Sequence, residues 1–222
     1  MREFERDVAR VLHNFFPVHF MLRPPPLLAV CLIGFVAALR AEPAPGEAEI
    51  VAMRFKLTRP DSGAADAWFE AEVDVDGRPA PDSPAGLLGR VRVTLTLATE
   101  IVTAGTPRRL EFYRASAEAV ALKAGHNSVR FYLPSEIVAR DAVRGDLRFW
   151  SADVAVGGRP SAPSRTRFSA ALGSAESRKN FLQQAMATAA ANDGILLPQY
   201  LTPFAPDYPT ATPAFVRREQ GG

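Results

Sequence analysis

Between residues 47 and 172, apolar and polar side chains alternate in short stretches, which is the pattern of β-strands that bury one face. Turn-forming Gly, Pro, Asp and Asn residues separate these stretches at intervals of roughly ten to twenty residues. Seven or eight such strands predict a mainly β fold, an Ig-like or fibronectin-III-like antiparallel sandwich, with a closed barrel as the alternative. The predicted strands cover residues 48–58, 68–75, 89–98, 109–114, 127–133, 146–156 and 165–172.

A pair of aromatic strands within residues 127–158 is predicted to form the centre of the core. The first strand ends at Pro134, because proline has no N–H to donate to a strand ladder. One or two helical turns are expected over residues 135–141, and Gly157-Gly158 ends the second strand. The apolar residues that mark the two strands are Val129, Phe131, Leu133, Phe149, Trp150, Val154 and Val156.

The pattern is less specific on either side of this pair. Leu110 and Phe112 are predicted to point inward from the fourth strand. The alanine-rich residues 115–122 that follow fit either a strand or a helix. Residues 165–172 are predicted to form the last strand, with Phe168 as its apolar anchor.

Residues 173–193 change to a helical period. Ser174 is a suitable N-cap, Glu176 suits the first turn, and Asn192-Asp-Gly194 is a helix stop. The helix could dock on the sandwich or form an oligomer contact, and the sequence favours neither. One face carries an apolar stripe of Phe181, Leu182, Ala185, Met186 and Ala189.

The last segment, residues 194–222, is rich in proline and yet too apolar for a simple linker. Its prolines exclude a helix or a central strand, and an extended segment with aromatic anchors can lie along a groove at low entropic cost. It is expected either to pack on its own domain or to dock on a partner. The anchors predicted to bind a partner are Tyr200, Leu201, Phe204 and Tyr208.

Residues 1–41 are predicted to be an N-terminal extension followed by a signal peptide. Arg23 precedes an uninterrupted apolar run from Leu27 to Leu39, which is short for a membrane span, and small residues follow up to Ala41. Met21 is the expected start of translation, and cleavage is expected after Ala38 or Ala41. An uncleaved anchor is the alternative, and it would be the chain's contact with a membrane.

Composition offers little chemistry. Cys31 is the single cysteine and His126 is the one histidine after residue 41, so neither a disulfide framework nor a cysteine metal site is expected within the chain. Of 26 basic and 24 acidic residues, five basic and three acidic ones lie within residues 1–41, so the remainder is neutral and a nucleic-acid partner is not expected. We predict no cofactor, no metal and no enzymatic activity.

Two groups of residues on the predicted strands are functional candidates. Its acidic residues, which alternate from Glu70 to Asp76, could serve a glycosidase or bind Ca²⁺, but they are more typical of a solvated strand face. Trp68 and Tyr132 could stack on sugar rings or on a partner, although such a Trp more often covers its own sheet. Both aromatic residues are predicted as partner-binding candidates.

Three segments resemble small secreted Ig-like proteins encoded in bacterial type IV pilus loci. They are FYLPSEIV at residues 131–138, RFWSADVAVGG at 148–158 and NDGILLPQYLTPF at 192–204, and the resemblance covers roughly residues 47–205. It implies an Ig-like sandwich in the periplasm or at the cell surface that serves assembly or attachment of an envelope machine. It implies no active-site residues. The chain also lacks the start of a methylated pilin, so it does not resemble a pilin subunit.

These observations predict a non-enzymatic, exported envelope protein, periplasmic or extracellular, that acts through protein–protein contact in a type IV pilus or secretion machine. A carbohydrate-binding or adhesin module that uses Trp68 and Tyr132 is the first alternative. A hydrolase built on the acidic strand face is the second.

Overall fold

The computed structural model describes residues 46–61, 66–101, 108–162, 164–207 and 212–216. The predicted signal segment and Tyr208 lie outside these residues. Strands make up 49% of the chain, so the fold is mainly β as predicted. Within the described residues no helix is long and apolar enough to cross a membrane.

The chain forms eight strands and two α-helices in the described residues. The elements are β1 Glu47–Thr58, β2 Trp68–Arg78, β3 Leu87–Ile101, β4 Arg109–Lys123, β5 Gly125–Leu133, α1 Ser135–Arg140, β6 Phe149–Val156, β7 Arg159–Pro160, α2 Ala175–Thr188 and β8 Leu197–Pro198.

The strands form two antiparallel four-stranded sheets. The first sheet has the order β1-β2-β5-β8 and the second has the order β4-β3-β6-β7. The first seven strands therefore divide between the sheets as they do in a fibronectin-III-like sandwich, and β8 extends the first sheet by a short pairing with β5. The predicted sandwich is confirmed.

The core lies between the sheets and consists of every second side chain along the strands. The inward side chains of β2 and β3 have almost no exposed surface, because each strand turns every second residue toward the opposite sheet. Phe55 of β1 stacks on Phe69 with ring centroids 5.5 Å apart and meets Trp150 of the opposite sheet edge-to-face at 6.0 Å. The pair of aromatic strands is confirmed as a core unit that crosses from one sheet to the other.

The alanine-rich residues 115–122 are strand, since β4 continues to Lys123. The inward direction predicted for Leu110 and Phe112 was wrong. Tyr113 takes the inward position opposite Leu97, so its neighbour Phe112 points outward and packs beneath α2. Both faces of β4 are apolar at this end because a helix covers the outer one, and such a strand gives no clear alternation.

The predicted last strand over residues 165–172 was also wrong. Residues Arg165–Arg167 and Ala170–Leu172 form two 3₁₀ turns, and Phe168 makes one isolated bridge to Ser151 of β6. The hydroxyl of Ser164 accepts a hydrogen bond from the Thr166 N–H at 3.2 Å and so caps the first turn. Ser and Thr favour such local side-chain caps over a strand ladder.

Helix α2 begins where the sequence predicted it. The Ser174 hydroxyl accepts a hydrogen bond from the Ser177 N–H at 3.0 Å and caps the helix. Phe181 packs against Phe112 with ring centroids 5.4 Å apart, so the helix covers the outer face of the second sheet. The helix therefore docks on its own sandwich, although Met186 of the predicted stripe points away and is 79% exposed.

A buried polar cluster lies at one end of the space between the sheets, next to α1. Asp141 Oδ2 accepts hydrogen bonds from the Tyr113 hydroxyl at 2.5 Å and the Thr99 hydroxyl at 2.8 Å, and Arg140 Nε donates to Oδ1 at 2.7 Å. Burial alone would raise the pKa of Asp141, but these hydrogen bonds together outweigh it and hold that pKa below its usual range. Burial, and then the bond to Asp141, raise the pKa of Tyr113.

The cluster makes stability depend on pH. A carboxyl whose pKa is depressed in the folded state stabilises the protein above its unfolded pKa, and this contribution is lost as the pH falls through the folded pKa. We expect Asp141→Asn to lower the free energy of unfolding at pH 7 by about 2–3 kcal/mol, because a hydrogen bond to a charged group contributes about 1.5–3 kcal/mol.

Urea unfolding of both proteins between pH 7 and pH 3 measures this effect. The difference between wild type and Asp141→Asn should narrow below about pH 4, where carboxylates become protonated. Asp146→Asn, in the exposed loop after α1, should follow the wild type at every pH. A loss of stability that stays constant across this range would contradict the assignment.

Candidate interaction surface

Four carboxylates alternate along the outer face of β2, and the structure buries two of them. Glu70 and Asp74 are each 1% exposed, while Glu72 and Asp76 keep more contact with solvent. The predicted solvated acidic face was therefore wrong. Carboxylates lose their water at a high cost in free energy unless other groups pair with them, so the neighbouring strands must supply partners.

Basic residues on both neighbouring strands pair with the middle of this row. Arg54 of β1 lies 2.6 Å from Asp74 and 3.1 Å from Glu72. Arg130 of β5 lies 2.8 Å from the same Glu72 oxygen. The strand register places Arg54, Glu72 and Arg130 directly opposite one another. Burial alone would raise the pKa of Glu72, but the hydrogen bond from Arg54 and the charge of Arg130 contribute to a net lowering.

The strand register also places partners beside Glu70, the acid of the row nearest Trp68. Glu70 lies 3.1 Å from the Lys56 ammonium of β1, and it accepts a hydrogen bond from the Tyr132 hydroxyl of β5 at 3.0 Å. The three strands thus form a charged ladder, which we define as Arg54, Lys56, Glu70, Glu72, Asp74, Arg130 and Tyr132. The sequence pattern did not reveal this ladder, because each strand supplies one type of group and the partners lie far apart in the chain.

The C-terminal segment, residues 195–216, covers one end of the ladder. The Phe204 ring stacks on the Tyr132 ring, with centroids 4.5 Å apart and planes 7° from parallel. Trp68 meets the same Phe204 ring edge-to-face at 5.8 Å. Phe204 and Tyr132 are both fully buried, so these three aromatic residues exclude water from the Glu70 end of the ladder.

Gln199 fixes the conformation of this segment. Its side-chain amide donates to the carbonyl oxygens of Phe204 at 2.9 Å and Asp207 at 2.8 Å, and its backbone carbonyl accepts from the Thr202 hydroxyl at 2.7 Å. The Thr212 hydroxyl donates to the Gln199 carboxamide oxygen at 3.3 Å. A proline-rich chain has few backbone N–H groups for ordinary turns, so one buried glutamine takes over part of that role.

The segment then closes one side of the sandwich. Leu197 and Pro198 pair with β5 of the first sheet, and residues 214–216 pair with β4 of the second sheet through backbone bonds at Glu118 and Val120. The Tyr200 and Phe215 rings lie 5.3 Å apart between these two pairings. The described part of the C-terminal segment packs on its own domain.

This packing divides the residues predicted to bind a partner. Tyr132 and Phe204 are buried within the chain, so they offer no surface while the segment stays in place. Trp68 and Tyr200 are half-buried, and Leu201 is 49% exposed. Partner binding at Trp68, Tyr200 and Leu201 stays a prediction, and the same prediction for Tyr208 falls outside the described residues.

A groove of about 380 Å³ lies between β4 and the C-terminal segment. Leu197, Tyr200 and Leu201 line it from the C-terminal segment, and Arg92 of β3 and Arg114 of β4 line it from the second sheet. Glu118 and Asp193 also line it, and the Glu118 carboxylate lies 2.9 Å from Arg92. A partly apolar lining with charged groups is the usual make-up of a site that binds another molecule. We define the C-terminal groove by Leu197, Tyr200, Leu201, Arg92 and Arg114.

His126 lies beside the acidic row of β2. His126 Nε2 lies 3.5 Å from Asp74 and from the Ser128 hydroxyl, but Ser128 is buried and donates directly to Asp74 at 3.1 Å. A Ser-His-Asp triad needs the imidazole between an accessible hydroxyl and the acid, so this group extends the ladder instead. Within the described residues no three His, Cys, Asp or Glu side chains could hold a metal ion together.

The sugar-stacking alternative needs the rings of Trp68 and Tyr132 to be exposed side by side. In the structure, Phe204 covers the Tyr132 ring and contacts Trp68. The more ordinary prediction for Trp68, that it covers its own sheet, matches the contacts in the structure.

Comparison with known proteins identifies the fold. A crystal structure of a pilus-related protein from Akkermansia muciniphila is similar to this chain, with a TM-score of 0.58 and 14% sequence identity. The alignment covers 78% of this chain and 94% of the other. At this identity the similarity shows the sandwich fold alone. No family model matches the chain, and no curated protein matches it.

Phe204 provides a test of whether the C-terminal segment belongs to the folded domain. We expect Phe204→Ala to lower the free energy of unfolding by about 3–5 kcal/mol, which is typical for truncation of a buried phenylalanine. Leu201→Ala, three residues away and half-exposed, should change it by less than about 0.5 kcal/mol. Equal and small losses in urea unfolding would mean that the segment does not stabilise the sandwich.

Proposed function

We propose that this chain is an exported, non-enzymatic protein of the bacterial cell envelope that acts through protein–protein contact in the assembly of a type IV pilus or secretion machine. The observation that carries the proposal is the similarity to a pilus-related sandwich, which aligns over 94% of that protein's length. The predicted signal segment supports export, and the resemblance of three sequence segments to proteins from pilus loci supports the same machine.

Two of the three segments that carry the resemblance contact one another in the structure. Phe131 and Tyr132 of the first segment pair with Pro198 and Leu197 of the third, and Phe204 of the third stacks on Tyr132. Residues that depend on one another in this way would be shared by proteins that fix the C-terminal segment in the same position. The shared pattern therefore supports a common architecture more directly than a common partner.

The C-terminal groove is the contact surface that we propose for this role. Leu201 is about half exposed, and with Leu197 and Tyr200 it forms the apolar part of the groove beside the cationic Arg114, while Arg92 pairs with Glu118. Apolar patches that polar groups rim mark protein interaction sites. A partner with an apolar side chain and a nearby carboxylate would suit this surface.

Crosslinking of the tagged full chain in its native envelope, followed by mass spectrometry, tests the proposal. Truncation of residues 195–222 would be uninformative, because it removes Leu196 and Phe204 from the interior. Leu201 is 49% exposed, so we expect Leu201→Asp to keep the fold while it places a charge in the groove. We expect it to reduce the recovery of pilus or secretion components at least tenfold, while Met186→Asp on the exposed side of α2 should have no effect.

Each outcome has a distinct meaning. Recovery of such components that is unaffected by Leu201→Asp would keep the pilus role and reject the groove. Recovery of no pilus or secretion component by the wild type would reject the role itself.

A further inference from the structure

The two sides of the sandwich differ in how their strand edges are covered. On one side, β8 covers the edge of β5, and residues 214–216 cover part of β4. On the other side, β1 is the outermost strand of the first sheet, and among the described residues β2 is its one paired strand. The edge of β1 is covered at Ile50, whose carbonyl oxygen accepts hydrogen bonds from the Ser164 and Thr166 hydroxyls.

Beyond Ile50 a long, regular stretch of β1 follows. A bulge lies between Ile50 and Ala52, and residues 52–58 then pair with β2 without a further register shift. Seven residues at about 3.3 Å each give an edge of about 23 Å, slightly longer than the commonest strands. Natural sheets blunt such edges with bulges, prolines, very short strands or charged side chains, lysine above all. Residues 52–58 contain no proline, and their charged residues are Arg54 and Lys56, which oppose pairing with another cationic strand but not with an acidic one.

The apolar side chains of this edge are partly exposed. Val51 is 42% exposed and Leu57 is 45% exposed, and Met53 and Phe55 are only partly buried. Phe55 points into the sandwich toward Trp150, so the neighbouring apolar positions line the opening between the two sheets. An added strand would bury these side chains beneath its own inward residues.

The outward side chains of the same edge are cationic. Arg54 and Lys56 pair with the acids of β2 on one side, and about half of each side chain remains exposed. A second copy of β1 is a poor occupant, because antiparallel registers centred on Arg54, Phe55 or Lys56 place a cation opposite a cation. Like charges that lie directly opposite destabilise a strand pair, whereas opposite charges stabilise it.

We propose that residues 52–58 of β1 are a strand-addition site for an extended segment of a partner protein in which apolar and acidic residues alternate. The partner's backbone would pair with the open edge, its apolar residues would face Phe55 and Leu57, and its carboxylates would lie opposite Arg54 and Lys56. In this mode backbone hydrogen bonds give affinity and alternate side chains give specificity. The site is separate from the C-terminal groove and does not depend on the proposed pilus role.

The chain's own β2 supplies a probe of the required pattern, since its sequence WFEAEVDVDGR alternates and already pairs with the other edge of β1. We would add this synthetic peptide, at up to millimolar concentration, to the isotope-labelled full chain and record backbone amide shifts by NMR. Shifts should concentrate on residues 52–58. A peptide with lysine in place of its four acids should bind at least tenfold more weakly, and a scrambled peptide should not shift these amides.

Two exposed positions allow a matched pair of variants. Leu57→Asp should weaken binding of the acidic peptide at least tenfold, while Val120→Asp, at the similarly exposed Val120 of β4 (52%), should leave it unchanged. Absence of shifts at residues 52–58, or equal binding of the lysine peptide, would overturn the proposal. Concentration-dependent shifts at these residues without peptide would also overturn it, because a second copy would then be the occupant.

Discussion

Two carboxylates on β2 can lose their contact with water because the strands on both sides hold their partners at matching register positions. Lys56 and Tyr132 lie opposite Glu70, and Ser128 lies opposite Asp74, which Arg54 also contacts. A slip of one residue between β2 and either neighbour would turn the acids toward the core. The ladder therefore opposes such a slip, and loss of a partner would leave a buried carboxylate with fewer groups to offset its lost contact with water.

The ladder in turn depends on the C-terminal segment. Phe204 shields the Glu70 end, and the same segment pairs with one strand of each sheet. The C-terminal segment thus closes one side of the sandwich. On the opposite side, β2 is the one strand that pairs with β1 among the residues that the structure describes, and the strand-addition site that we propose lies at the other edge of β1.

The sequence was most informative where one physical effect acted alone. Alternation in β2 and β3 identified their buried faces, and the cap at Ser174 identified the start of α2, because both signals are local. The sequence pattern gave wrong predictions where an element distant in the chain changed the surroundings of a side chain. Helix α2 made the outer position of Phe112 apolar, and basic residues from two other strands allowed Glu70 and Asp74 to be buried. The sequence identified Tyr200 and Phe204 as anchors of the C-terminal segment, but the burial of Phe204 and the partial exposure of Tyr200 depend on contacts that no local pattern encodes.

The position of Leu196 and Phe204 in the interior has a consequence for how the chain reaches its final form. In the sequence, these residues follow the strands that they cover, so the sandwich is complete only when the C-terminal segment has folded back over β5 and β4. Until then the Tyr132 ring and the Glu70 end of the ladder are open to water. The final pairings join residues that lie far apart in the chain, which makes completion of the sandwich a long-range step in folding.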